Sequence, residues 1–393
     1  MHTMTTQTID IPSPAAETAP AVPFSDLVRD SAPLQAELGD AVGEIISSCR
    51  FIGGQVVDEF AEDFARYCGV RHAIPCSNGT EALRLTLTAV LGEGDGTREI
   101  VTVSHTFAAT AEAIIAAGFK PVFVDVDPRT YLMDLDAAER ACTPHTVAIV
   151  PVHLYGQMVD MPGLAAFAGD RGLAVIEDAS QSHGARFGDI RPGQVSDAAT
   201  FSFYPGKNLG AWGDAGAVVT NDSDVESRIA QLADHGRTDK FTHAYVGTNA
   251  RMDAIHAAVL RVKLQYLDQW NAARRQVASW YDESLDGCDS IVRPAAFSRG
   301  VHVYHQYVVQ VEKRDEIRRC LGEAGIGTGI HYPVPVHEQP AYTHLISEPG
   351  ALPETHRLCS RILSLPIYPS MTREQVMHVA QVLRAAIPSQ SQL

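Results

Sequence analysis

The chain has 393 residues, 45% of them hydrophobic and 20% charged, which is an ordinary globular composition and enough chain for one large and one smaller domain. Its 31 basic and 47 acidic residues leave a formal net charge of −16, which argues against nucleic acid and anionic membranes as partners because both carry phosphates. No apolar run reaches the roughly 18 residues of a membrane-spanning helix. The seven cysteines are scattered and form no CxxC pair, so reduced thiols in a cytoplasmic protein are expected.

The predicted elements begin after a leader. Residues 1–23 are rich in threonine, proline and alanine and lack the basic start and apolar stretch of a secretory signal, so a disordered leader is predicted. Apolar residues at helical spacing predict helices over residues 34–48 and 55–67. Further along, apolar runs of strand length alternate with helical patterns, which predicts a mostly parallel sheet with helices on both faces. The predicted strands are residues 72–76, 99–103, 121–126, 146–152, 174–176, 198–203 and 217–220, and the helices between them are 80–90 and 106–117.

The C-terminal third of the chain has a different texture. The elements predicted there are a long helix around residues 250–270, a strand over 304–311, and helices over 315–324 and 372–386. This mixture is typical of a smaller α+β domain. We therefore expect a large domain over residues 24–270 and a small domain over residues 271–393.

A small polar turn, Ser77-Asn78-Gly79-Thr80, separates the first predicted strand from a helix. Backbone N–H groups at the start of a helix, together with the positive end of the helix dipole, suit a phosphate group. The alternative is an ordinary helix cap near Thr80 that binds no ligand. The turn by itself leaves both interpretations open.

Two further segments carry candidate catalytic groups. Asp178 ends an apolar strand, at the sheet edge where open α/β folds bind ligands, and could either hold a protonated ring nitrogen or cap the following turn. Lys207 follows an aromatic strand and a Pro-Gly turn. Most lysines are solvated surface groups, but a lysine in an apolar pocket loses proton affinity and becomes an amine nucleophile. An aldehyde cofactor with a phosphate tail would use Lys207, Asp178 and the turn at Gly79 together.

These three segments resemble those of the DegT/DnrJ/EryC1/StrS family of pyridoxal-phosphate (PLP) dependent sugar aminotransferases, over nearly the whole chain from about residue 22. The resemblance implies the α/β fold type I of PLP-dependent transferases (aspartate aminotransferase-like), with a mainly parallel seven-stranded sheet in a large PLP-binding domain and a smaller α+β C-terminal domain. The further blocks that carry the resemblance are Pro151-Val152-His153-Leu154-Tyr155-Gly156, Gly213-Asp214-Ala215-Gly216-Ala217-Val218-Val219-Thr220, His235-Gly236-Arg237, Gly247-Thr248-Asn249-Ala250-Arg251-Met252-Asp253, His331-Tyr332-Pro333-Val334-Pro335-Val336-His337 and Leu363-Ser364-Leu365-Pro366.

The resemblance implies a role for each matching position. Lys207 would form the Schiff base with pyridoxal 5′-phosphate and move the proton, Asp178 would pair with the pyridine nitrogen, and Gln181 would hydrogen-bond the 3′ oxygen of the ring. Phe107 would stack on the ring. The cofactor phosphate would be held by Gly79, Thr80, Ser202 and Asn249, the last of these from the neighbouring subunit of a homodimer.

The chain departs from the family pattern at a few positions. Ala215 stands where the family usually has glycine, which could narrow the backbone beside the lysine loop. Ser180 and Ser182 replace the commoner alanines around Gln181, and this change should be tolerated. Related dehydratases carry histidine in place of the lysine, so the presence of Lys207 favours transamination.

The segment around Lys207 is similar to a subgroup that acts on nucleotide-linked 3-keto-6-deoxyhexoses. It implies that an amino acid, L-glutamate by expectation, gives its amino group to a keto sugar such as a dTDP-3-keto-6-deoxyhexose. The product would be an amino sugar for a glycosylated natural product or a surface polysaccharide. The candidate substrate-binding residues are His331, Tyr332, His153 and Tyr155.

Other functions stay open at this point. The substrate could be a 4-keto nucleotide sugar or a keto-cyclitol, and a member of another class would be a non-catalytic PLP- or sugar-sensing regulator. The intact Lys207, Asp178 and Gln181 argue against the regulator. His331 and His337 are six residues apart, but no third ligand is evident near them in the sequence, so packing or a solvated loop is expected and no metal is predicted.

Overall fold

The computed structural model describes residues 21–345 and 352–387, so the predicted leader lies outside the described residues except for positions 21–23. The described residues form a large sheet layered between helices and a smaller C-terminal α+β unit. The α-helices are α1 Leu27–Ser31, α2 Gln35–Ser48, α3 Gln55–Cys68, α4 Gly79–Leu91, α5 Ala109–Ala116, α6 Leu135–Ala141, α7 Met161–Arg171, α8 Ser223–Ala233, α9 Ala254–Leu264, α10 Leu267–Ser284, α11 Arg314–Glu323, α12 Pro353–Arg361 and α13 Arg373–Ala386.

Seven strands form the main sheet, in the order β1-β8-β7-β5-β4-β2-β3. Strand β8 runs antiparallel to β1 and β7, and the other neighbours run parallel, which confirms the predicted mainly parallel seven-stranded sheet. Two-stranded pairs are formed by β10 with β11 and by β6 with β9. The strands are β1 His72–Cys76, β2 Glu99–Val103, β3 Lys120–Val124, β4 Thr146–Val150, β5 Ala174–Asp178, β6 Arg186–Phe187, β7 Ala198–Ser202, β8 Gly216–Thr220, β9 Gly300–Val301, β10 Tyr307–Gln310 and β11 Ile362–Leu365.

Both faces of the main sheet are covered by helices, which is why its strands read as apolar runs without alternating polar residues. Side chains alternate between the faces along each strand. Phe201 of β7 packs with Phe60 of α3 on one face. Val218 of β8 packs with Leu85 of α4 on the other face. The sheet is therefore buried in its interior and meets solvent and ligands only at its edges.

Helix α10 joins the two parts of the molecule. Its first residue, Leu267, packs in the core of the main sheet, while Val277 and Tyr281 pack with Tyr307 and Leu363 in the core of the C-terminal unit. The predicted boundary between residues 270 and 271 therefore falls inside a continuous helix. A two-domain division of the chain stays a prediction, with α10 as the element that both parts share.

The start of the described chain also belongs to the C-terminal unit. Val22 is fully buried, its N–H donates to the carbonyl of Gly325 (3.0 Å), and its carbonyl accepts from the N–H of Gly327 (2.8 Å). Val22, within the predicted leader, is thus packed structure, because its apolar side chain completes the core of that unit. None of the helices in the described ranges is long and apolar enough to cross a membrane.

Candidate active site

The carboxyl ends of β1, β5 and β7 meet at one edge of the main sheet. Asp178 is the last residue of β5, and Cys76 of β1 and Ser202 of β7 both lie opposite Gly216 of the antiparallel β8. A Cβ added to Gly216 would lie 2.4 Å from the carbonyl carbon of Asn78, so only glycine allows this approach. The fold therefore brings together the three segments that the sequence singles out.

Lys207 lies on a tight turn that leaves β7. Its N–H donates to the carbonyl of Tyr204 (2.8 Å). A Cβ on Gly210 would lie 2.3 Å from the carbonyl oxygen of Pro205, so the turn closes only with glycine there. Burial lowers the pKa of the Lys207 amine to about 8, and the negative charge of Asp178 opposes that shift. A fraction of Lys207 is thus a neutral, nucleophilic amine near neutral pH.

Two buried groups support the lysine turn from outside the site. The ammonium of Lys263 donates to the carbonyl of Gly210 (2.7 Å). The N–H of Phe203 donates to the carbonyl of Ala215 (2.7 Å), and the methyl group of Ala215 is buried in the same apolar core as Phe203. The alanine that departs from the family pattern is thereby accommodated by packing.

Asp178 is held in place by two hydrogen bonds. One carboxylate oxygen accepts from the hydroxyl of Thr110 (2.8 Å), and the other accepts from the N–H of Ser180 (3.1 Å). Thr110 is fully buried on α5, and its hydroxyl also lies 3.2 Å from that of Thr106. The sequence analysis missed Thr110, because a threonine within an alanine-rich helix carries no local signal of function. Its place one turn after the polar turn at residues 104–107 is the only hint.

Gln181, Tyr332 and Phe107 form one wall of the site. The side-chain carbonyl of Gln181 accepts from the N–H of Tyr155 (2.8 Å), and its amide group lies 3.4 Å from the hydroxyl of Tyr332. The rings of Phe107 and Tyr332 have centroids 5.6 Å apart. Phe107 is 57% exposed, so one face of its ring is available to a flat ligand.

The turn before α4 provides a cradle of N–H donors. Asn78 caps the helix through its side chain, which accepts from the N–H of Glu81 (2.8 Å), and Gly79 and Thr80 open the first turn, where helical N–H groups lack intrahelical partners. A Cβ on Gly79 would lie 2.6 Å from the Cβ of Ser202. This donor set and its lack of space suit a phosphate held close to the backbone.

His331 and two histidines that were not predicted from the sequence, His183 and His305, lie close enough to Lys207 for its charge to affect their pKa values. Burial lowers the pKa of His331 to about 4 and that of His183 to about 3, and it lowers the pKa of His305 well below its usual range. The positive charge of Lys207 adds to each shift. All three rings are therefore neutral at physiological pH. Nδ1 of His331 bonds to the hydroxyl of Ser364 (2.8 Å), which fixes its ring.

The structure gives no support to the predicted substrate role of His153. Its side chain is fully buried, Nε2 lies 2.5 Å from a carboxylate oxygen of Glu177, and Nδ1 accepts from the N–H of Val159 (3.2 Å). Glu177 and Asp178 are successive residues of β5, so their side chains point to opposite faces. His153 shares the face of Glu177 and has no surface that a ligand could reach.

The predicted substrate contact of Tyr155 likewise stays a prediction. Its side chain is buried, and its hydroxyl donates to the carbonyl of His331 and lies 3.1 Å from Nε2 of His105. Together with the bond from its N–H to Gln181, these contacts make Tyr155 a support behind the site. The motif correctly places Tyr155 next to the site, but its ring points into the core.

Asn249 lies beside the phosphate turn of its own chain. The N–H of Ser77 donates to the carbonyl of Ala250 (2.8 Å), and Arg251 donates to the side-chain oxygen of Asn249 (3.2 Å). Asn249 itself is exposed, so a second subunit could approach it. Its predicted contact across a dimer stays a prediction.

Comparisons with known proteins agree with this geometry. The sequence model of the DegT/DnrJ/EryC1/StrS aminotransferase family matches residues 33–384. The chain is 42% identical over 363 residues to the "Pleiotropic regulatory protein" of Geobacillus stearothermophilus, covering 92% of this chain and 97% of that protein. It is 41% identical over 373 residues to the dTDP-3-amino-3,4,6-trideoxy-alpha-D-glucose transaminase of Streptomyces venezuelae, covering 95% and 97%. The crystal structure of S. venezuelae DesV in complex with a ketimine intermediate superposes with a TM-score of 0.92 at 41% identity, covering 95% of this chain and 100% of that one.

The cradle at Gly79 predicts a steric test. In the Gly79→Ala variant the new methyl group meets Ser202, so we expect pyridoxal phosphate to bind at least about tenfold more weakly, which corresponds to about 1.4 kcal/mol. Equilibrium titration of the cofactor-free protein by absorbance measures this affinity. The control is Gly39→Ala, where an added Cβ meets nothing within 4 Å. Equal affinity of Gly79→Ala and wild type would contradict the assignment of the cradle.

The buried histidines predict a loss of stability in mild acid. Burial holds the pKa of His105 and His331 at about 4 and that of His183 and His302 at about 3, all below the ordinary value near 6.5. The unfolded chain therefore binds more protons than the folded chain below about pH 6.5, and each such histidine removes up to about 1.4 kcal/mol of unfolding free energy per pH unit. The contribution of these histidines should be nearly level above pH 7, and the unfolding free energy should fall from pH 6.5 to 5.5, as measured by urea unfolding. Above about pH 8 the lowered pKa of Lys207 should make the unfolding free energy rise further with pH.

A variant at His302 isolates one of these protons. The N–H of Tyr304 donates to Nδ1 of His302 (2.9 Å), and the side-chain oxygen of glutamine in His302→Gln can accept the same bond without titrating. We expect the slope of unfolding free energy against pH to decrease by the equivalent of one proton. An unchanged slope would show that His302 is not held neutral by the fold.

Proposed function

This chain belongs to the DegT/DnrJ/EryC1/StrS aminotransferase family, and on that premise we propose that it transfers the amino group of L-glutamate to a nucleotide-linked 3-keto-6-deoxyhexose, a dTDP sugar first among the candidates. The family and its solved relatives establish the reaction class, a PLP-dependent transamination that makes nucleotide amino sugars. The observation that carries the assignment is the buried amine of Lys207 near the carboxylate of Asp178.

The residues present fit pyridoxal phosphate. The N–H groups at Gly79 and Thr80 lie in the first turn of α4, where helical N–H groups lack intrahelical partners, and Ser202 packs so close to Gly79 that no side chain fits there. Asp178 supplies an anion for a protonated ring nitrogen, and the exposed ring of Phe107 supplies a stacking surface. When bound, the cofactor supplies an aldehyde that reacts with amines and a ring that accepts an electron pair from the adjacent carbon.

Lys207 binds the cofactor and moves the proton. Because burial lowers its pKa to about 8, the amine can act as a nucleophile without a separate base. With the cofactor bound, the Lys207 amine would be the group placed to take a proton from the α-carbon of the amino acid and to give it back during the exchange. The neutral rings of His183 and His305 add no positive charge beside it.

Asp178 would hold the protonated ring nitrogen of the cofactor, and Thr110 keeps Asp178 in position. The hydrogen bonds from the Thr110 hydroxyl and the Ser180 N–H fix both carboxylate oxygens, so the anion is oriented before the cofactor binds. Gln181 is oriented in the same way by the N–H of Tyr155 and points its amide toward the site beside Tyr332. We propose Thr110 and Tyr155 as positioning residues.

The choice of a 3-keto sugar is supported by two observations. The segment around Lys207 is similar to that of the 3-keto subgroup. The sugar in the name of the S. venezuelae relative carries its amino group at C3. His331 and Tyr332 are the proposed sugar contacts, because both are only partly buried and lie close enough to Lys207 and Asp178 for those charges to shift their pKa values. We do not propose His153 and Tyr155 as sugar contacts, because their side chains are buried.

The proposed working form is a cytoplasmic homodimer. Asn249 would reach the cofactor phosphate of the second subunit. Support comes from large apolar side chains exposed in the segment before it, Phe241 at 82% and Val246 at 92%, because such exposure is typical of an interface. All seven cysteines are free, in agreement with a reducing compartment.

A regulator without turnover is the alternative from another class, and the printed name of the Geobacillus relative mentions regulation. The intact set of Lys207, Asp178 and Gln181 favours catalysis, because sensing a sugar needs neither a desolvated amine nor an oriented carboxylate. The alternative gains support only if the loaded protein fails to exchange amino groups with any donor.

The proposed reaction predicts a spectral change. Adding L-glutamate to the PLP-loaded protein should replace the long-wavelength absorbance of the lysine-bound cofactor by the shorter-wavelength band of its amine form, and a dTDP-3-keto-6-deoxyhexose should restore it. Lys207→Ala should lose the exchange by at least about a thousandfold, because it removes both nucleophile and proton carrier. Lys120→Ala serves as the control and should exchange normally, because Lys120 is the first residue of β3 and the site lies at the carboxyl ends of the strands.

The outcomes separate the alternatives. Restoration by a 4-keto sugar or a keto-cyclitol but not by the 3-keto sugar would overturn the substrate while leaving the cofactor chemistry intact. Exchange by Lys207→Ala at the wild-type rate would overturn the assignment of the lysine.

A further inference from the structure

Outside the proposed active site, two histidines and a glutamate meet on the C-terminal side of the large sheet. His337 and Glu338 lie in a single 3-10 turn, Val336–Glu338, and His356 lies on α12. One donor atom from each of the three residues falls within 4.8 Å of the other two. Nε2 of His356 lies 3.2 Å from Oε1 of Glu338. Two nitrogens and one oxygen thus converge on one small volume.

Each imidazole has one ring nitrogen without a hydrogen-bond partner of good geometry among the described residues. His337 is almost fully buried, and its Nδ1 lies 2.6 Å from the hydroxyl of Ser104, which leaves Nε2 as its free ring nitrogen. A second hydrogen bond, from the N–H of His337 to the same hydroxyl oxygen (3.2 Å), fixes the turn. Nε2 of His356 is shielded from solvent and has no hydrogen-bond partner of good geometry among the described residues.

We propose that His337, Glu338 and His356 bind one divalent transition-metal ion, with Zn²⁺ as the best match. Two imidazole nitrogens and one carboxylate form a common zinc donor set, and three protein ligands leave a fourth position for water. Ser104 acts as the outer partner that orients a ligating histidine, because its oxygen can accept the Nδ1–H of His337 while Nε2 binds the metal.

The site would brace one wall of the active site. His337 follows the His331–Tyr332 pair by five or six residues, and Ser104 precedes Phe107 by three. A metal ion would link the turn at Val336–Glu338 to His356 of α12. The hydrogen bond between Ser104 and His337 already links the same turn to the segment before Phe107. This inference does not depend on the proposed substrate or reaction, since it concerns a separate set of side chains.

No metal was predicted from the sequence, because His331 and His337 have no third ligand near them in the chain. The fold separates those two rings, since His331 bonds to Ser364 and stacks on Phe24 with centroids 5.7 Å apart. The partner of His337 is instead His356, nineteen positions later in the chain, and no spacing rule would have found it.

The test measures metal stoichiometry and affinity on the PLP-loaded, full-length protein after removal of metals with a chelator. Zn²⁺ alone is titrated in competition with a chromogenic chelator, and bound metal is counted by mass spectrometry. We expect one ion per chain. Glu338→Gln, which is nearly isosteric, and His356→Asn should each weaken binding at least about a hundredfold, and Ser104→Ala should weaken it by about 10–100-fold.

The control is His344→Asn, which removes an exposed imidazole from the same segment and should bind Zn²⁺ as wild type does. Co²⁺ in place of Zn²⁺ should give ligand-field bands without thiolate charge transfer, which separates this site from the cysteines. Circular dichroism of Glu338→Gln checks that the fold is kept. The proposal is overturned if wild type binds no stoichiometric ion, or if Glu338→Gln and His356→Asn bind it as tightly as the control.

Discussion

The active site depends on keeping one lysine amine out of water. Burial lowers the pKa of Lys207 and the carboxylate of Asp178 raises it. The two effects together leave the pKa of the amine at about 8. The glycines of the turn allow the close backbone approach, the carbonyl of Gly210 is occupied by Lys263, and the surrounding histidines stay neutral. Lys263 is also desolvated, but its ammonium bonds to that carbonyl and so supports the turn.

The last two residues of β5, Glu177 and Asp178, have different roles: Glu177 is structural, and Asp178 faces the site. Asp178 faces the site and is oriented by Thr110, whereas Glu177 faces the opposite side and accepts from His153 and the N–H of Gly193 (2.7 Å). Two successive acidic residues at the end of a strand can therefore have different roles. The same alternation explains why His153, although in a motif of the family, contacts Glu177 on the face of the sheet away from Asp178.

Much of the architecture follows from the sequence, because apolar runs and turn residues locate the seven strands of the sheet in nearly the observed places. Boundaries were wrong where polar turns interrupt the pattern. Helix α5 begins at Ala109 and not near residue 106, since residues 104–107 turn to supply the wall of the site. The helix predicted near residues 250–270 divides into α9 and α10 at Gln265 and Tyr266. The predicted strand at 304–311 begins at Tyr307, because Tyr304 has a left-handed backbone (φ 43°).

The residues that lie in motif segments could be predicted from the sequence, and the residues that support them could not. Lys207, Asp178, Gln181, Ser202 and Gly79 are brought to one sheet edge, as the segments imply. Thr110 and the partner of His337 come from tertiary contacts that no local pattern marks. Whether a matched residue faces a ligand or the core, as for Tyr155, depends on side-chain direction, which sequence similarity alone does not give.

The most direct test of this account is reductive trapping of the cofactor on its lysine. Purified protein loaded with pyridoxal phosphate is reduced with borohydride, digested, and analysed by peptide mass spectrometry. The account predicts one added cofactor per chain, attached to the peptide that contains Lys207, with none on the peptide that contains Lys263. Attachment at Lys263 or at scattered surface lysines, or no attachment at all, would contradict the central role assigned to the buried amine of Lys207.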